Sequence, residues 1–177
     1  MNQVDIHFDL ESGSLHQDAA IYSIGAVAVV DGAIVDQFHI RIDPDCYGNR
    51  KRKRDNDDWW EFANPEEFQT IHDEGVILTT ALGAFSDWLS EYADKDVTYW
   101  QKRWLDLLWI ESACDSVGVQ TPIAYHKVRE LVTYVEALGG NQEVPNENAH
   151  NALADAKAQA KMWINAREGK RNAKAMV

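Results

Sequence analysis

The chain has 177 residues, of which 17 are Lys or Arg and 29 are Asp or Glu, for a formal charge of −12. At 45% hydrophobic and 10% aromatic residues it can pack one domain's core and does not read as disordered. The acidic excess excludes a protein that grips nucleic acid or anionic membrane by bulk positive charge. Its field repels phosphate, so any phosphate-bearing ligand needs a local device, either bound metal or a basic patch.

Val4, Ile6, Phe8 and Leu10 alternate with Asp5, His7, Asp9 and Glu11, which predicts an amphipathic first strand. The β-branched runs at 21–30 and 33–42 flank Asp31-Gly32, a hairpin signal, so the chain opens as a three-stranded antiparallel meander. Residues 43–65 read as a surface loop or insertion carrying Arg50-Lys51-Arg52-Lys53-Arg54 and then Trp59-Trp60. Leu82, Phe85, Leu89 and Tyr92 recur at helical spacing, with Thr79-Thr80 as N-cap candidates. A short strand follows at 97–100. Leu105, Leu108, Trp109 and Ala113 predict a helix ending near Gly118, and Val128, Leu131, Val132, Val135 and Leu138 another ending at Gly139-Gly140. A last helix, rich in alanine, is expected from about 149 to 167. The pattern describes one α/β domain over residues 1–177. Cys46 and Cys114 form no CxxC pair, and neither a leader nor a run long enough to span a bilayer is visible. A cytoplasmic protein with no membrane partner is expected.

Three features could carry chemistry. Asp9 and Glu11, two apart on a strand, project from one face and would repel each other unless a hard divalent cation lay between them. The plain alternative is the solvent face of an edge strand. In His150-Asn151-Ala152-Leu153-Ala154-Asp155 the two ends differ by about 140° on a helix. They therefore share a site only if His150 lies on the entering loop, with Asn148 as N-cap. An exposed histidine and a solvated aspartate are the alternative. Asp106 falls where a strand passes into a helix, the usual ligand-binding edge of an α/β sheet. There it could also simply face the helix dipole. Asp94, Asp96 and Asp115 are competing carboxylates.

Asp-x-Glu in the first strand, an acid at a later strand-to-helix junction and His-x4-Asp opening the last helix together resemble the DEDDh family of 3′–5′ exonucleases. The phage-type and actinobacterial exoribonuclease-like branch is the most similar, through Trp59-Trp60, Arg129-Glu130-Leu131-Val132-Thr133 and the His150 segment. The resemblance implies a ribonuclease-H-like fold, a mixed central sheet flanked by helices. It also implies two divalent cations, Mg²⁺ or Mn²⁺, held by Asp9, Glu11, Asp106 and Asp155. Asp9 would bridge them, Glu11 and Asp155 would hold the ion that activates water, and Asp106 the one at the leaving group. His150 would be the general base. The implied substrates are 3′ ends of single-stranded DNA or RNA and the product a nucleoside 5′-monophosphate. Ser12, Gly13, Ser14 and Leu15 match the segment that contacts the terminal nucleotide, with Trp59, Trp60 and Arg129 as further substrate contacts. A homodimer is left open. The rival expectation is a catalytically weak or inactive domain of the same fold that binds a nucleotide or protein partner. The bulky Gln101-Lys102-Arg103-Trp104, where the family carries a glycine-containing turn, keeps that rival in view.

Overall fold

The computed structural model describes residues 3–46, 48–141, 143–146 and 148–175, and side chains of the last helix as far as residue 170. Strands β1 (Gln3–Ser12), β2 (Ile21–Val30) and β3 (Ala33–Arg41) form the predicted meander. β4 (Asp96–Gln101) and β5 (Val128–Glu130) extend it, giving the order β3-β2-β1-β4-β5 with β4 parallel to β1 and β5 parallel to β4. This is the mixed sheet expected of a ribonuclease-H-like fold.

Helices cover both faces. On one, α3 (Leu78–Ser90) and α4 (Leu105–Val117) bury Leu82, Phe85, Ile110 and Ala113 against Ile6, Phe8, Ile24 and Ala26. On the other, α5 (Leu131–Ala137) and α6 (Ala152–Ala175) pack Leu131, Val135, Ala160 and Trp163 against Val27, Val29 and Trp100. Each such aliphatic side chain contributes roughly 1.5–3 kcal/mol by leaving water. No helix among the described residues is long and apolar enough to cross a membrane.

β1 is therefore central, not an edge strand, and its polar face lies beneath α6. Asp5 accepts a hydrogen bond from Trp100 Nε1 at 2.8 Å. His7 is fully buried beside the rings of Trp100 and Trp163, and burial lowers its pKa from 6.5 to about 3, so it stays neutral. Only Asp9 and Glu11, past the last residues paired with β4, reach the open end of the sheet.

Four local expectations are corrected. The region expected as a loop at 43–65 holds α1 (Arg54–Ala63), followed by α2 (Pro65–Glu74). Trp60, Phe68 and Ile71 fasten the pair to Ala20 and Tyr22, and Pro65 supplies the fixed φ that starts α2. Val128 begins β5, not a helix; Glu130 then caps α5 by accepting from the backbone N–H groups of Val132 and Thr133. α3 starts at Leu78, with Ile77 at the N-cap position, so Thr79 and Thr80 lie in its first turn. α6 starts at Ala152 with Asn151 at its cap, since Asn151 Oδ1 accepts from Ala154 N–H at 3.1 Å; Asn148 lies in the preceding turn.

The basic run at 50–54 is dispersed. Arg50 turns inward and donates to Ala19 O and Ser112 Oγ, while Lys51 pairs with Asp18 and Arg52 with Asp45 and Asp57. Lys53 and Arg54 are exposed at the start of α1.

Candidate active site

Asp9 and Glu11 lie on the same face of β1, opposite Gly25 and Ser23 of β2. Gly25 decides what can approach. A Cβ there would stand 2.2 Å from the backbone of Ala152 and Leu153, so only glycine lets the first turn of α6 settle over the strand beside Asp9. Ala152, Ala156 and Ala160, one turn apart and fully buried, continue that close approach. Asp155 projects from this turn. Carboxylate oxygens of Asp9, Glu11 and Asp155 lie within 4.8 Å of one another.

Asp106, in the first turn of α4, is buried beside this trio, and its Oδ1 accepts from Leu10 N–H at 3.1 Å. The buried Gln101 at the end of β4 fixes that turn, its Oε1 accepting from Leu107 N–H at 3.0 Å. Asp94 and Asp96 lie exposed at the other end of β4, and Asp115 is exposed far along α4. The fold thus brings Asp106, among the competing carboxylates, to the other acids.

The electrostatics are those of negative charges confined together. Burial first, then the charges of Asp106, Glu11 and Asp155, push the Asp9 carboxyl well above the usual carboxylate range. Burial and then Asp155, Asp106 and Glu67 raise Glu11 from 4.5 to about 9. Burial, with a contribution from Asp155, raises Asp106 from 3.8 to about 7. Asp155 is raised by burial against the opposing hydrogen bond from His150 N–H. Four oxygen-donor groups that resist joint ionisation are suited to hard divalent cations.

A stability prediction follows. Each raised carboxyl keeps its proton to higher pH in the folded chain than in the unfolded one. Between about pH 4 and 9 the metal-free folded state therefore binds more protons, and its stability falls as pH rises through that window. Melting followed in EDTA should give a higher Tm at pH 5 than at pH 8, with Mn²⁺ restoring more at pH 8. A metal-free Tm that rises from pH 5 to 8 contradicts this reading of the acids.

His150 occupies the turn before α6. Its φ of 65° is left-handed, and its backbone N–H donates to Asp155 Oδ2 at 2.8 Å. The imidazole is exposed, and the edge-on ring of Trp59 has its centroid 4.7 Å away.

The expected substrate contacts divide. Trp60 is 2% exposed and its Nε1 donates to Ser12 O, so it is a core residue and not a stacking platform; Trp59 is 42% exposed. Ser12 and Ser14 are buried, with Ser12 Oγ donating to Ser14 O and Ser14 Oγ accepting from His16 N–H. Gly13 backs onto the Tyr22 hydroxyl, and only Leu15 of the four presents its side chain outward. Arg129 lies on the edge strand β5 and donates to the carbonyls of His126 and Val128.

The sequence reading missed several neighbours. Gln159, one turn after Asp155, donates to Asp9 Oδ1 at 2.7 Å, and Asn146 donates to Asp155 Oδ1 at 3.1 Å. Lys102 provides the positive charge that partly offsets Asp9 and Asp155. Polar residues of these types are unremarkable on a helix or in a loop, and no spacing marked them.

The sheet order β3-β2-β1-β4-β5, with acids from β1, α4 and α6 converging at its open end, places the chain in the DEDDh-type 3′–5′ exonuclease class of folds. Residues 4–166 match the family described as the 3′–5′ exoribonuclease Rv2179c-like domain, and the chain belongs to that family. No curated protein sequence matches it.

Among solved structures, a zinc-bound complex of E. coli exonuclease I with single-stranded DNA aligns with a TM-score of 0.73 at 12% identity, over 97% of this chain and 42% of that one. The nuclease domain of 3′hExo, a DEDDh family member bound to rAMP, aligns at 0.63 and 16% identity over 94% and 92%. S. pombe Pop2p with Mg²⁺ and Mn²⁺ aligns at 0.59 and 11% identity over 93% and 82%. At these identities the likeness is one of fold, and the chain spans less than half the length of exonuclease I.

Proposed function

We propose that this exonuclease removes nucleotides one at a time from the 3′ end of single-stranded RNA, releasing nucleoside 5′-monophosphates, with His150 as general base. The observation that carries the reading is the meeting of Asp9, Glu11 and Asp155 oxygens within 4.8 Å, with the backbone of the exposed His150 hydrogen-bonded to Asp155. Asp9, Glu11, Asp106 and Asp155 would hold two divalent cations, Mg²⁺ or Mn²⁺. When bound, these supply Lewis-acid stabilisation of charge on the attacking and leaving oxygens of an in-line displacement at phosphorus.

The chain's own residues do the rest. A water oxygen forms the new bond to phosphorus, its proton passes to an imidazole nitrogen of His150, and the bond to the 3′ oxygen of the preceding nucleotide breaks. Histidine is the side chain suited to accept a proton near neutral pH. Lys102 adds positive charge near Asp9 and Asp155, and the half-exposed Trp59 ring offers an aromatic surface for the terminal base, stacking being worth roughly 1–3 kcal/mol in single-strand binders.

The family description supports RNA, and discrimination from DNA requires a contact to the 2′-OH. Matched RNA and DNA oligonucleotides with 5′ labels, assayed in Mn²⁺, test this. RNA is expected to shorten faster, and equal or faster shortening of DNA counts against an RNA substrate.

A further inference from the structure

The strained turn bearing His150 is held from outside by a short polar chain. Non-glycine residues seldom adopt a φ of 65°, so the surroundings must hold this one in place. Asp155 takes its N–H from one side. From the other, Asn64 at the junction of α1 and α2 reaches its amide to the carbonyls of Ala149 and His150, at 3.5 and 3.4 Å. The next residue, Asn151, is buried and uses both ends of its amide. Its oxygen caps α6 and its Nδ2 donates to Glu67 Oε2 at 2.9 Å. Glu67 is in turn fixed by Arg41 at the end of β3, which donates Nε to Oε1 at 2.9 Å and Nη2 to Oε2 at 3.0 Å. The chain Arg41, Glu67, Asn151 thus links the sheet to the residue after His150, while Trp59, on the helix just before Asn64, flanks the imidazole.

We propose that Glu67, with Asn64, is a positioning residue that sets where the His150 imidazole stands over the acids. The proposal rests on the reading of His150 as general base. Neither residue touches the reacting atoms; each acts through the backbone of residues 149–151. Nothing in the family motif identifies them: Asn64 lies in the 43–65 segment whose sequence reads as a loop, and Glu67 just beyond it, where the sequence predicts no element.

The test is a double-mutant cycle on the full chain in Mn²⁺ with a short 5′-labelled RNA. His150→Asn serves as the base-less background, since asparagine accepts a left-handed φ and keeps the turn. Glu67→Ala is expected to lower kcat about tenfold to a hundredfold with KM little changed, as small misplacements of a reacting group do. Glu67→Gln, which keeps an acceptor for Asn151, should recover part of the loss. Added to His150→Asn, Glu67→Ala should cost nothing further, with all rates taken at saturating Mn²⁺ because the Glu67 charge also bears on Glu11. A loss that multiplies undiminished on the His150→Asn background overturns the proposal, as does wild-type kcat in Glu67→Ala. If Glu67→Ala does not fold, Asn64→Ala carries the same cycle. A kcat loss that vanishes without the imidazole supports the proposal, and wild-type kcat overturns it. Wild-type kcat in His150→Asn alone is a different result, which removes the general-base reading itself.

Discussion

Asp9→Ala is expected to reduce 3′-end shortening by more than about a thousandfold, since loss of cation-assisted charge stabilisation amounts to several kcal/mol at about 1.4 kcal/mol per decade. The variant should fold, because a buried repulsive charge is removed and no apolar packing is lost. Its metal-free Tm at pH 8 should exceed that of the parent chain, since burial and the neighbouring carboxylates oppose ionisation of Asp9 in the folded chain while it ionises freely in the unfolded one. Initial rates in Mn²⁺ and melting curves in EDTA, taken on the same preparation, check both halves. A variant that retains a tenth of the parent rate contradicts the placement of Asp9 at the centre of the site.

Removing the imidazole should have the next largest effect. His150→Asn is expected to lower kcat by roughly 10²–10⁴-fold, the usual contribution of general acid-base catalysis. Mn²⁺ affinity should be retained, because the ring is not among the clustered oxygen donors and the backbone N–H that orients Asp155 is kept. The two variants therefore separate two losses: Asp9→Ala loses metal and rate together, and His150→Asn loses rate alone. Single-turnover rates combined with calorimetric Mn²⁺ titration distinguish them. If His150→Asn also weakened Mn²⁺ binding strongly, His150 would belong to the metal site.

Much of this site was legible in the order of its motifs. Asp9 and Glu11 on a strand, and His150 before Asp155, were readable because strand alternation and helix periodicity fix which side chains share a face. Alternation could not reveal that a second layer covers β1. His7 is packed, enclosed by aromatic rings, and Asp5, which alternation alone would leave on a solvent face, lies with it under α6 and is satisfied by Trp100. The approach of α6 depends on the missing side chain of Gly25, a requirement visible only once the two elements are placed together.

The segment at 54–74 was illegible for a different reason. Its charged residues outnumber the few apolar ones that anchor it, so no helical stripe stands out. Its roles, with Glu67 and Asn64 on the His150 turn and Trp59 on the ring, come from contacts between residues more than eighty positions apart. The strand Val128–Glu130 failed for want of length: three residues carry no period, and the capping glutamate that ends it also begins a helix.

The acidic charge takes on a specific meaning in this light. Two divalent cations would neutralise four of the excess negative charges at the one place where phosphate must enter. The rest of the surface disfavours long non-specific tracts. The enzyme is thus expected to act on ends, and the most direct measurement is the product pattern from a single-stranded RNA labelled at its 5′ end and incubated with Mn²⁺. A ladder shortening one nucleotide at a time from the 3′ end, with nucleoside 5′-monophosphate released and all shortening abolished by EDTA, is the predicted result. Internal fragments without a ladder, or an intact label in Mn²⁺ and Mg²⁺ alike, would contradict the account.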